Sequence, residues 1–181
     1  ANLPNVLQNM LREFAARRDV PDDITLSERR ARKICDHRDI GSYTLDIESR
    51  LSVELSDYPF EAVYEDDLNI EQLEEIVEDP ASSYPIVALG KSYFNECKGY
   101  SIQPDSKGNT RSNHVLVMNI NHEDVLIYDP MRFRTTDGQK LKPTEIPKQA
   151  FISAWLGKWQ VTSTLWITST EQRRLTEYDN E

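Results

Sequence analysis

Three side chains of this 181-residue sequence could together form a nucleophilic site, namely Cys35, His114 and Asp129. A thiol attacks a carbonyl when a neighbouring base takes its proton and a third group orients that base, and these residues can lie far apart in the sequence. His114 opens one apolar run and Asp129 closes the next, with a turn between them. A β-hairpin would bring the imidazole and the carboxylate to the same end of a sheet. A plainer interpretation stays open, in which His114 is a strand-edge residue and Asp129 starts a turn before Pro130.

The thiols are less favourably placed than the imidazole. Cys35 falls near the end of a second helix that Ser27 would cap, where the helix dipole raises the pKa of a thiol. A loop after that helix could still present Cys35 in a cleft, so an active cysteine peptidase using Cys35, His114 and Asp129 remains an alternative. Cys97 has no motif around it, and two cysteines predict free thiols, with neither a disulfide framework nor a zinc site.

The sequence predicts neither a metal site nor a cofactor. No two of the three histidines, His37, His114 and His122, have a helical or hairpin spacing that would place both on one ion. The six glycines are not grouped into a loop that could hold a phosphate. The acidic run at residues 71 to 79 is typical of a solvated helix face, so we expect no Ca²⁺ site there.

The apolar periodicity predicts a single α+β domain, because 181 residues are enough for one core and too few for two full domains. The polar stretch at residues 95–113 is predicted as a loop or a loosely paired hairpin. We predict helices over residues 5–18, 28–37, 41–56 and 69–79, and strands over residues 60–64, 85–90, 114–120, 125–128 and 162–168. Residues 144–157 are predicted to hold a further helix around Phe151, Ile152, Trp155 and Leu156.

The predicted hairpin resembles a segment of a known family. The stretch from His114 to Pro130 is similar to the histidine-to-aspartate segment of the C39 and C39-like peptidases, which are papain-like folds. Residues 68–89, 146–155 and 165–167 resemble, in order, the helix and strand, the late helix and the closing strand of that family. The resemblance implies a papain-like α+β fold with N-terminal helices packed on an antiparallel sheet. It divides the chain into an N-terminal helical extension, a C39-like domain and a polar tail, at residues 1–38, 39–168 and 169–181.

The resemblance also implies that the nucleophile has been lost. In the family, the cysteine lies in an Asp-Cys-Gly-Pro-like motif at the start of a buried helix, where the dipole and backbone N–H groups stabilise the thiolate. The matching segment here is residues 39–45, and Ile40 stands where the cysteine would be. The oxyanion glutamine has no counterpart, because residues 30–38 contain no Gln. We therefore expect a C39-like pseudo-peptidase that binds a peptide or protein partner, without hydrolysis, in a cleft between residues 40–56 and the sheet that carries His114 and Asp129.

The charge of the chain bears on its partners. A net charge of −10 is expected to repel nucleic acid. The single basic cluster is expected to be a solvated helix face; it consists of Arg29, Arg30, Arg32 and Lys33. No apolar run approaches the roughly 20 residues that span a bilayer, and no signal peptide is visible, so we expect a cytoplasmic protein. The Arg bias and dispersed acidity also resemble proteins from high-salt cytoplasm.

Two further functional interpretations follow from these features. The acidic surface would suit a sequestering protein of the antitoxin or immunity type that binds a basic partner. The amphipathic helix at residues 5–18 would either pack its apolar stripe on the core or offer that stripe to another chain.

Overall fold

The computed structural model describes residues 3–17, 24–35, 46–90, 113–129, 143–156 and 162–170. Within these ranges the chain forms five helices and six strands. The helices are α1 (Leu3–Arg17), α2 (Glu28–Ile34), α3 (Asp46–Glu54), α4 (Ile70–Glu78) and α5 (Lys148–Leu156). The strands are β1 (Phe60–Glu65), β2 (Ile86–Leu89), β3 (Asn113–Ile120), β4 (Asp124–Tyr128), β5 (Thr144–Pro147) and β6 (Thr164–Ser169).

The six strands form one antiparallel sheet with the order β1-β6-β2-β3-β4-β5. The mixture of helices with an antiparallel sheet confirms the predicted α+β class. The β3–β4 hairpin lies where the two apolar runs and the turn between them predicted it. Its turn is closed by Asn121, whose side-chain oxygen accepts from the backbone N–H groups of Glu123 and Asp124.

The helix predicted within residues 144–157 is confirmed at Lys148–Leu156, but the strand before it was not predicted. Residues Thr144–Pro147 form β5, an edge strand paired with β4, and the helix begins only at Lys148. Pro147 explains the boundary, because proline lacks an N–H for the ladder but fits the end of an edge strand next to a helix start.

The sheet separates two layers of apolar side chains. On one face, α1, α2 and α3 pack on residues such as Ile86, Leu116 and Leu165. On the other face, α4 and α5 pack on residues such as Val87 and Val115. Neighbouring residues of one strand therefore bury their side chains in different layers, as the period of two in a strand requires.

Helix α1 belongs to this core. Its apolar stripe is almost completely buried, with Phe14 only 1% exposed and its ring 5.0 Å from that of Phe60 in an edge-to-face contact. The helix packs on β2 and β3, and it shares one apolar cluster with the sheet. The stripe of residues 5–18 is thus covered within the chain and is not available to a partner.

Local hydrogen bonds fix the ends of several elements. The Ser27 hydroxyl accepts from the Arg30 N–H at 3.2 Å and so caps α2. At the sheet edge, the N–H of Ala62 in β1 donates to the Ser52 hydroxyl of α3 at 3.1 Å, which satisfies an edge donor that could otherwise pair with another strand. Ser169, predicted as the start of a polar tail, is instead the last residue of β6.

None of the helices in the described ranges is long and apolar enough to cross a bilayer.

Candidate functional site

His114 and Asp129 lie at the same end of neighbouring strands. His114 is the second residue of β3, and Asp129 directly follows the last residue of β4. The ladder pairs Leu116 with Tyr128, two residues from His114 and one from Asp129. Both side chains are buried, with 2% of His114 and 4% of Asp129 exposed. The hairpin therefore brings His114 and Asp129, the two residues predicted from the sequence, to the same buried end of the strands.

The register sets the direction of the imidazole. His114 and Leu116 are two residues apart in β3, so their side chains lie on the same face of the sheet. Leu116 packs in the layer of α1, α2 and α3. The imidazole therefore lies on the face of the sheet that these helices cover. Asp129 lies beyond the last pair of the ladder, so the ladder does not fix its side-chain direction.

Burial controls the charge of His114. Removal from water lowers its pKa to about 3, because the charged imidazolium is penalised in the apolar interior. The side chain is thus neutral at physiological pH. A cysteine peptidase dyad requires the reverse, an imidazolium stabilised beside a thiolate. In this state the imidazole carries no charge that could stabilise an anion.

Cys35 occupies the end of α2, as its position in the sequence predicted. It is the C-cap residue, and its N–H donates to the Ala31 carbonyl oxygen at 3.0 Å. The residue is 6% exposed, and burial raises the pKa of its thiol to about 12, an effect that the positive charge of Arg50 partly opposes. Cys35 is therefore a protonated thiol packed among α1, α2 and α3, which is unfavourable for nucleophilic attack.

The helix over the strand of His114 is α1. Helix α1 packs on β2 and β3, whereas α3 packs on β1, and β6 and β2 lie between β1 and β3 in the sheet. Helix α3 therefore lies on the sheet that carries His114, but at β1 and not over the histidine, and the predicted cleft between residues 40–56 and that sheet stays a prediction. The sequence held no signal for this pairing, because an apolar stripe indicates which side of a helix is buried but not which strand covers it.

Several predicted positions lie outside the described residues. These are Ile40 with the rest of the segment 39–45, the loop 95–113 apart from Asn113, Cys97 and His37. Of the described histidines, His122 lies exposed in the β3–β4 turn, at the opposite end of β3 from His114. No group of three or more His, Cys, Asp or Glu side chains in the described ranges could hold a metal ion.

Acidic side chains cover one outer face of the protein. Helix α4 carries four glutamates and no basic residue, and its exposed members are Glu71, Glu75 and Glu78. The turn before α4 adds the exposed Asp66 and Asp67. The apolar residues of α4, Leu73 and Val77, are buried against the sheet, so the carboxylates form its solvent face as predicted.

The comparisons with known proteins add no relative. No protein-family model matches the chain, and no curated protein matches it.

Proposed function

We propose that this chain is a papain-like, C39-like domain that has lost its nucleophile and binds a peptide or protein partner without hydrolysing it. The α+β fold supports the proposal, with its antiparallel sheet, its N-terminal helices on one face and a His-to-Asp hairpin at one end. The binding role follows from the resemblance of that hairpin to the peptidase segment, since a fold alone does not dictate an activity.

The observation that carries the proposal is the state of Cys35. Its thiol is buried, has a pKa of about 12 and lies at the C-terminal end of a helix. All three features favour the protonated, unreactive form. The neutral imidazole of His114 supports the same conclusion, because an active pair would hold it as the cation. The alternative of an active peptidase using Cys35, His114 and Asp129 is correspondingly less well supported.

The proposal is tested by selecting peptides from a random library displayed on phage against the immobilised protein. We expect a family of related peptides to be enriched, and each synthetic copy to remain intact by mass spectrometry after incubation with the protein. Cleavage that disappears in the Cys35→Ala variant would support the active-peptidase alternative instead. Enrichment of no peptide at all would contradict a peptide-binding role.

A sequestering function is a second candidate, favoured by the acidic face of α4. Four glutamates on a nine-residue helix without a basic side chain create a local negative field that a basic partner would complement. Binding of a basic protein through this face should weaken steeply as salt is added, and the variant Glu71→Gln/Glu75→Gln should weaken it at low salt. Salt-insensitive binding would count against this candidate.

A further inference from the structure

A groove between α2 and α3 differs in charge from the acidic protein around it. Its cavity volume is about 430 Å³, within the usual range for ligand pockets. Three of its lining side chains are cationic, one is a carboxylate, and two are apolar. These are Arg30, Lys33, Arg50, Glu54, Ile34 and Val53.

Two contacts across the groove hold the arginines in place. Arg30 of α2 forms an ion pair with Glu54 of α3. In the other direction, the Arg50 Nε of α3 donates to the Ile34 carbonyl oxygen at the end of α2, at 2.6 Å. Because Arg50 is already tied to a backbone oxygen of α2, a ligand that binds it has less side-chain freedom to remove, whereas at Arg30 a ligand carboxylate competes with Glu54.

The groove also presents apolar surface. Val53 is 73% exposed, and it is the more exposed of the two large apolar side chains that lie mostly open to solvent in the described ranges, the other being Leu156 at 46%. A single exposed valine is ordinary on a protein surface. Here, however, it lies in a cavity beside three cations, which suits a ligand that combines carboxylates with an apolar group.

We infer that this groove binds an acidic amphipathic peptide segment, whose carboxylates contact Lys33 and the two arginines and whose apolar side chain covers Val53. A nucleic acid fits less well, because none of the described side chains that line the groove is aromatic and could stack on a base. The net charge of −10 also opposes a long polyanion, whereas a short peptide experiences mainly the charges within about 8 Å at physiological salt. The inference is independent of the proposed function, since the groove contains none of Cys35, His114 and Asp129.

The test uses a short fluorescein-labelled peptide of alternating Glu and Leu pairs, with binding followed by fluorescence anisotropy at an ionic strength of about 0.15 M. We expect saturable binding that Lys33→Glu weakens about tenfold, because it replaces an attraction by a repulsion. The matched control is Arg29→Glu, which makes the same change of charge at an exposed position of α2 that does not line the groove. Its affinity should equal that of the unchanged protein.

A variant that binds the peptide more tightly shows that the groove recognises it, because damage to the fold would only weaken binding. Glu54 competes with an incoming carboxylate for Arg30, so Glu54→Gln should tighten peptide binding several-fold. The inference is overturned if Glu54→Gln weakens binding, if Arg29→Glu and Lys33→Glu weaken it equally, or if the peptide does not bind. It is also overturned if a peptide with Gln in place of Glu binds equally well, or if a single-stranded oligonucleotide binds more tightly than the acidic peptide.

Discussion

His114 lies directly opposite Ala88 on the β2–β3 ladder, so the imidazole and the alanine methyl group share one face of the sheet. The alanine offers neither a charge nor a hydrogen bond to the ring. Together with the apolar layer below α1, this neighbour keeps the ring 2% exposed and accounts for the low pKa of His114. The histidine that resembles a catalytic base is thus held as a neutral, buried group.

The buried imidazole should make the stability of the protein depend on pH. Its pKa is about 3 in the folded chain, against about 6.5 in an unfolded chain, so between these values the unfolded state binds more protons. The stabilisation from a neutral His114 is therefore complete above about pH 6.5 and is lost as the pH falls towards 3. The contribution amounts to as much as about 1.4 kcal/mol per pH unit.

Urea denaturation of the protein and of His114→Gln between about pH 6 and pH 4 measures the contribution of His114 to the pH dependence of stability. Carboxyl groups titrate in both proteins, so the difference between the two curves isolates the histidine. We expect the unchanged protein to lose stability more steeply on acidification. Parallel curves would contradict a buried neutral imidazole.

Shortening one buried side chain of α1 tests whether that helix is part of the core. Phe14 is 1% exposed and lies edge-to-face on Phe60 of β1. We expect Phe14→Ala to lower the free energy of unfolding by about 3–5 kcal/mol, through the lost burial and the cavity that remains. The exposed Val53→Ala serves as control and should change it by less than about 0.5 kcal/mol. The free energies of unfolding are measured by chemical denaturation. Equal losses in the two variants would contradict the place of α1 in the core.

The capping box of α4 gives a smaller, well-defined prediction. The Asn69 side-chain oxygen accepts from the Gln72 N–H at 2.8 Å, and the Gln72 side chain accepts from the Asn69 N–H at 2.9 Å. Asn69→Ala should destabilise the protein by about 1 kcal/mol, whereas Asn69→Asp should retain the cap and the stability. Thermal melts of both variants compare the two, and a loss in the aspartate variant as large as in the alanine variant would contradict this role.

Local patterns in the sequence predicted most of the elements because each carries its own periodicity. The β3–β4 hairpin, β2 and the helix capped by Asn69 were all predictable from apolar spacing and turn or cap residues. Residues 144–147 were not predicted as a strand, because a four-residue edge strand next to a helix start has too few residues to show a period of two.

The candidate site depends on long-range packing that periodicity does not contain. A stripe such as Ile47 and Leu51 in α3 indicates which side of the helix is buried, but not which strand covers it. The sequence therefore located His114 and Asp129 at one end of a hairpin and predicted the position of Cys35 at a helix end. It did not indicate that α1, and not α3, packs on the strand of the histidine.

The reactivity of Cys35 tests the loss of the nucleophile most directly. In a Cys97→Ser variant, Cys35 is the only thiol of the chain. We predict that iodoacetamide at neutral pH labels the folded variant about a thousandfold more slowly than the variant unfolded in urea, because a thiol pKa of about 12 leaves little thiolate. Labelling of the folded variant as fast as, or faster than, that of the unfolded one would show an activated thiolate at Cys35 and contradict a binding domain without a nucleophile.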